Sequence, residues 1–272
     1  MKSTFKKTSI LVLFMLTVLF GCENDMINDK TATSPSLKND ISELETFGIE
    51  HNQGLDYIYK RLVIAIDSSR LVLDSSSYID LLEFVQASTH DFFIKNENIL
   101  ISDNSYQANK SADFSFSWVV NSNLNQNLWD VSVDSYLTAK QKELLTVLSN
   151  AVYDTNLDID TTLLIFDQVY RTAITDCSSN ELVVIIAAIE IGTNSLLYWN
   201  KNHEAWINLF QPSCKSWFNW KKVAGSDIQG AVTGGVTGGI TGAGAGIGAL
   251  GGGLGASAGS IAVQLWNHWF DK

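Results

Sequence analysis

The chain has 272 residues and a formal net charge of −11. Acidity of this size without a basic patch excludes nucleic acid as a partner and gives no charge-based attraction to anionic lipid. Nearly half of the residues (46%) are hydrophobic, so a real core is available and wholesale disorder is excluded.

Residues 1–21 begin with Lys2, Lys6 and Lys7, continue through an apolar run at 10–20, and lead to Cys22. A basic start followed by a short apolar region is the pattern of a secretory signal. An eleven-residue run is too short to serve as a membrane span. Leu19, Phe20, Gly21 and Cys22 resemble a bacterial lipobox, with Phe20 bulkier than the usual occupant. The resemblance implies cleavage before Cys22 and its lipidation, which places the chain in the cell envelope as an outer-membrane lipoprotein. Glu23, Asp25 and Asp29 follow, similar to the export signals of surface lipoproteins in the Bacteroidota, and this implies surface exposure. Residues 22–50 are rich in Asn, Ser, Thr and Asp and include Pro35, so they read as a flexible tether.

From 51 to 222 the pattern is that of a helical body, with few breakers. Leu55, Ile58, Leu62 and Ile66 recur at threes and fours, as an amphipathic helix requires. Residues 78–94 form a second predicted helix, carrying Leu81, Leu82, Phe84, Val85 and Phe92. Residues 102–134 are polar and aromatic, with strands as one reading of 114–120. Helical periodicity returns at 138–152. Asp160 then reads as the N-cap of a helix over 161–174. Ser178 and Glu181 form a capping-box pair that opens the most apolar helix of the body, 182–199, continued or restarted after a bend at 201–209.

The segment 223–272 is different in kind. From Ile228 to Phe270 there is no Asp, Glu, Lys or Arg, and fourteen of the nineteen glycines fall here. Gly230, Gly234, Gly238, Gly242 and Gly246 are spaced by four, and so are Gly251, Gly255 and Gly259. This spacing lines one helical face with backbone that another helix can approach closely. Thr233, Thr237 and Thr241 follow the same spacing, as a polar stripe for a small pore or for interhelical hydrogen bonds. Trp217 and Trp220 precede the run and Trp266 and Trp269 close it, as indoles at a membrane interface would. A turn at 251–253 would fold 228–249 and 254–270 into a hairpin with both pairs at one end. The Gly-xxx-Gly spacing resembles the glycine-zipper helices of bacterial envelope lipoproteins and the C-terminal parts of pore-forming peptide bacteriocins, which implies membrane insertion and self-association.

No catalytic constellation emerges. Gly255, Ser257 and Gly259 fit G-x-S-x-G, but only His268 and Asp271 follow, in the wrong order for a nucleophile elbow. Gly246, Gly248 and Gly251 fit G-x-G-x-x-G without a preceding strand or a following acidic residue. Asp154, Asn156, Asp158 and Asp160 alternate like a calcium loop, with Ile159 and Ile165 where Gly and Glu belong, so a solvated loop and helix cap is preferred and no metal is assigned. His90 beside Asp91 and His203 beside Glu204 point in different directions on a helix and read as surface histidines. Cys177 and Cys214 are a candidate disulfide, two buried free thiols being the alternative.

The sequence therefore predicts a mainly α chain: a helical body with a C-terminal glycine-zipper helical hairpin, without cofactor or enzymatic activity. In the leading reading the hairpin inserts in a membrane and forms homo-oligomers. In the alternatives it packs on the body of a lipid-tethered interaction module, or the aromatic region 112–130 walls a ligand pocket.

Overall fold

A computed structural model describes residues 37–72, 78–96, 102–121, 131–210, 218–241 and 244–270. The described residues form helices and no strand: α1 (Leu37–Asp67), α2 (Tyr78–Lys95), α3 (Ser102–Asn121), α4 (Val131–Asp134), α5 (Ala139–Tyr153), α6 (Ile159–Asp176), α7 (Ser179–Phe210), α8 (Trp220–Thr241) and α9 (Ala245–Phe270). The expected signal region 1–21, Cys22 and the first part of the expected tether lie outside the described residues. The described helices belong to one compact unit, Pro35–Lys272.

Local chemistry sets several helix boundaries. Thr138 opens α5 with a full capping box, its hydroxyl accepting from Gln141 N–H while the Gln141 carboxamide oxygen accepts from Thr138 N–H. Glu181 reaches back to accept from both Ser178 N–H and Ser178 Oγ at the start of α7, as the pair predicts. The cap of α6 is Asp158, two residues before the expected Asp160, and it accepts from Thr161 N–H at 2.7 Å. The carboxylate of Asp154 accepts from Asn156 N–H, so the alternating acids organise a turn and a cap.

Four expectations are corrected by the helix bounds. Residues 37–50 are helical and belong to α1, so the expected tether does not extend over them; Leu44 and Phe47 supply an apolar face that the Asn- and Ser-rich composition hides. Residues 114–120 lie in α3, where Ala108, Ala112, Phe116 and Val119 make a buried helical stripe instead of an alternating strand. The turn between the last two helices is not at 251–253, which is buried inside α9, but next to Gly244, whose φ of +88° suits glycine. α7 runs without a break across the expected bend.

The last two helices form the centre. α8 and α9 pack antiparallel, shown by Gly230 meeting Gly252 and Gly234 meeting Gly248. α7 covers α8, and α3, α1, α7 and α2 all pack on α9. Of the most apolar window of α9, 89% is buried. The amphipathic helices thus turn their apolar stripes inward onto a hairpin that has almost no polar surface of its own.

Candidate functional site

Glycine decides how close the helices come, and the two glycine series serve different partners. In α8, a Cβ on Gly230 or Gly234 would overlap the backbone of Gly252 or Gly248, and one on Gly238 would come within 2.7 Å of Gly244 O. In α9, Gly251 and Gly255 instead lie against the backbones of Ala108 and Ala112 of α3, and Gly259 faces Phe116 and Val119. Gly246 receives the ring of Phe47 from α1. The expectation of one shared glycine face is therefore corrected. Gly251 is one residue, about 100° of rotation, away from Gly252, and so looks at another neighbour. Gly242 lies outside the described residues. The G-x-G-x-x-G match dissolves into three glycines aimed at α1, α8 and α3, all within one helix.

At the middle of this packing sits Asp227 of α8, fully buried. Ser195 Oγ of α7 donates to its Oδ2 at 2.5 Å, and Trp199 Nε1, one turn further along α7, donates to the same oxygen at 3.3 Å. Ser257 Oγ of α9 donates to Oδ1. His51 of α1 brings Nε2 to 3.6 Å from Oδ2, while its Nδ1 faces Asn52 Oδ1 at 3.2 Å. One carboxylate thereby gathers side chains from α1, α7 and α9. Burial holds its acid above the ordinary carboxylate range, against the opposing pull of His51 and the three donors.

A serine, a histidine and an aspartate meet here, but not in the order that nucleophilic catalysis needs. The carboxylate lies between Ser257 and His51, so the imidazole is not placed to take the hydroxyl proton. His51, Ser195, Asp227 and Ser257 are each 0% exposed, which leaves no approach for a substrate. The chemistry this knot performs is pairing: it satisfies a carboxylate that the apolar hairpin would otherwise strand. Ser257 is the serine of the G-x-S-x-G match, and the structure gives it this role. Asp227, His51, Ser195 and Trp199 are missed by motif reading. A usable signal was present, since a single acid one residue before a 43-residue uncharged run has to be buried and paired.

The other expected site residues fall as follows. The antiparallel hairpin brings Trp220 and Trp266 to the same end, where Gln264 Oε1 accepts from Asn219 N–H at 2.7 Å. Both indoles pack on protein: Trp220 stacks on His203, and Trp266 lies 4.3 Å from the ring of Tyr78. Trp217, Cys214 and the side chains of Thr241 and Trp269 are outside the described residues. Thr233 is buried, and Thr237 Oγ1 turns back to donate to Thr233 O in its own helix. Cys177 is half-buried at the end of α6, its thiol pushed up mainly by burial. Lys221 Nζ donates to the carbonyls of Asp154 and Leu157, tying the start of α8 to the α5–α6 loop.

The acid next to His90 is not its partner. His90 pairs with Asp113 of α3 at 2.7 Å, which raises its pKa, and Gln86 donates to the same oxygen. Asp91 instead binds Arg61 and Lys95. His203 Nδ1 lies 2.9 Å from Trp199 O. Phe116, from the aromatic region 112–130 expected to wall a pocket, lines a shallow dent with His90, Asp113 and Gly255, and 122–130 lie outside the described residues. Among the described residues no group of three or more His, Cys, Asp and Glu side chains has the arrangement to hold a metal. Compared with known proteins, the chain matches no family model, no curated protein and no solved structure.

Proposed function

We propose that this chain is a non-enzymatic lipoprotein of the bacterial cell envelope, tethered through Cys22, whose glycine hairpin is the packed core of an interaction module. The observation that carries this reading is the occupancy of the glycine faces. Each of Gly230, Gly234, Gly238, Gly246, Gly251, Gly255 and Gly259 is met by another part of the same chain, which leaves these faces no room for a second copy or for lipid tails. The pairing of Asp227 supports it further, because the knot needs α1, α7 and the hairpin together. The basic and apolar start with its lipobox-like ending supports the anchor.

One specific observation favours a second reading. Residues 228–270 carry no Asp, Glu, Lys or Arg, and Ala245–His268 is long and apolar enough to cross a membrane. In that reading the hairpin leaves α1, α3 and α7, inserts in a bilayer and self-associates, as a pore-forming or bacteriocin-like element.

Alkaline carbonate extraction separates the two. A Cys22→Ser protein exported through a cleavable signal without a lipobox is released into the supernatant if the hairpin is a core. Retention in the membrane pellet, without aggregation, overturns the first reading, and leakage of dye from vesicles then becomes the measurement of pore formation.

A further inference from the structure

A glycine repeat of four brings two helices together but does not say at which turn. Moving α9 by one turn, about 6 Å, would set Gly234 against Gly252 and Gly238 against Gly248. Gly255 and Gly259 would then meet Ala108 and Ala112, small residues again spaced by four. Along α8, and at Ala108 and Ala112, small residues remain on small residues, so these glycine contacts discriminate weakly between the registers, although Phe47 and Phe116 would then meet Leu250 and Val263 in place of Gly246 and Gly259. The knot does not have this degeneracy. After such a shift Asp227 would face Ile261 where Ser257 now stands, and after the opposite shift it would face Gly253. Neither offers a hydrogen-bond donor, and a buried carboxylate losing a partner is costly.

We infer that Asp227 is the register lock of the hairpin: Ser195 and Trp199 hold it on α7, and its bond from Ser257 selects the observed position of α9 over the one-turn shift that the glycine contacts leave open. The lock acts as a lone polar residue does in a coiled-coil seam, where it specifies alignment that the apolar repeat leaves ambiguous. It also defines a device, because one-turn sliding of one helix past another is how packed helices switch between discrete states. The groups around it are His51 from α1, Ser195 and Trp199 from α7, and Ser257 from α9.

Engineered disulfides read the register directly. A Cβ on Gly235 would stand 3.6 Å from the Cβ of Ala249, within disulfide range, whereas the partner of Gly239 at this register is Ala245, at 3.9 Å. In a full chain carrying Cys22→Ser, Cys177→Ser and Cys214→Ser, the pair Gly235→Cys with Ala249→Cys crosslinks rapidly. The shifted pair, Gly239→Cys with Ala249→Cys, crosslinks at least tenfold more slowly. Adding Asp227→Ala raises crosslinking of the shifted pair to within about threefold of the native pair, and Asp227→Asn, which keeps an acceptor for Ser257, restores the preference. Ser257→Ala, a smaller change that leaves the fold in place, moves the ratio in the same direction. The inference is overturned if Ser257→Ala and a folded Asp227→Ala both keep the tenfold preference of the parent.

Discussion

Gly234 and Gly248 lie so close that a Cβ on either would overlap the carbonyl oxygen of the other. The contact is backbone on backbone, and neither helix can yield without moving its neighbours on α7, α3 and α1. The same glycine composition that weakens an isolated helix is therefore what allows this core to close.

Gly234→Ala consequently destabilises the fold at or above the upper end of the 1–3 kcal/mol typical of overpacking. Gly239→Ala is the control. It is exposed, its nearest neighbour to a new Cβ is 3.9 Å away, and alanine is the better helix former by about 1 kcal/mol. Chemical denaturation of the two variants gives shifts of opposite sign.

Removing the carboxylate of Asp227 leaves Ser195 Oγ, Ser257 Oγ and Trp199 Nε1 without their acceptor in a fully buried site. Asp227→Ala costs on the order of 3–5 kcal/mol, as the loss of one member of a buried polar cluster does. Asp227→Asn costs less, and urea melts rank the two.

Thr233 is 0% exposed and its Oγ1 has no hydrogen-bond partner in the protein. Exchanging the hydroxyl for a methyl removes an unsatisfied polar group at nearly constant shape. Thr233→Val raises stability by about 1 kcal/mol, read as a higher denaturation midpoint with an unchanged m-value.

Glu50 on α1 has its pKa raised from 4.5 to about 7, chiefly by burial, with a hydrogen bond to Thr46 acting in the other direction. The folded state holds this proton more tightly than the unfolded chain does. The contribution is therefore complete below pH 4.5 and is lost as pH rises through about 7. Glu190 and His90 are also raised and act in the same direction. The melting temperature falls between pH 5 and pH 8, and Glu50→Gln makes that fall shallower. An unchanged slope in Glu50→Gln contradicts the assignment.

Much of this architecture is legible in one dimension. Spacing at threes and fours marks α1, α2 and α5, because a helix exposes one stripe to the core and the stripe is written in the order of residues. The pair Ser178 and Glu181 places the start of α7 correctly, since capping is completed within four residues. The helical period of α3 is hard to read because the first half of its buried face, Ala108, Ala112 and Ser115, carries little hydrophobic signal and only Phe116 and Val119 are strongly apolar. The tether was overextended for a related reason: polar residues on the outer face of α1 dominate its composition, while Leu44 and Phe47 face inward.

The sequence by itself determined a mainly helical chain and an uncharged glycine-rich pair of helices, both of which follow from local composition and period. Tertiary structure alone decided which glycines face which helix, that the turn lies beside Gly244 and not at 251–253, and that Asp227 meets Ser257 across the hairpin. The physical reason is that glycine has no side chain to record a direction. A repeat of four lists several equivalent alignments, and the choice among them rests on a buried carboxylate whose partners come from positions 51, 195, 199 and 257 of the chain.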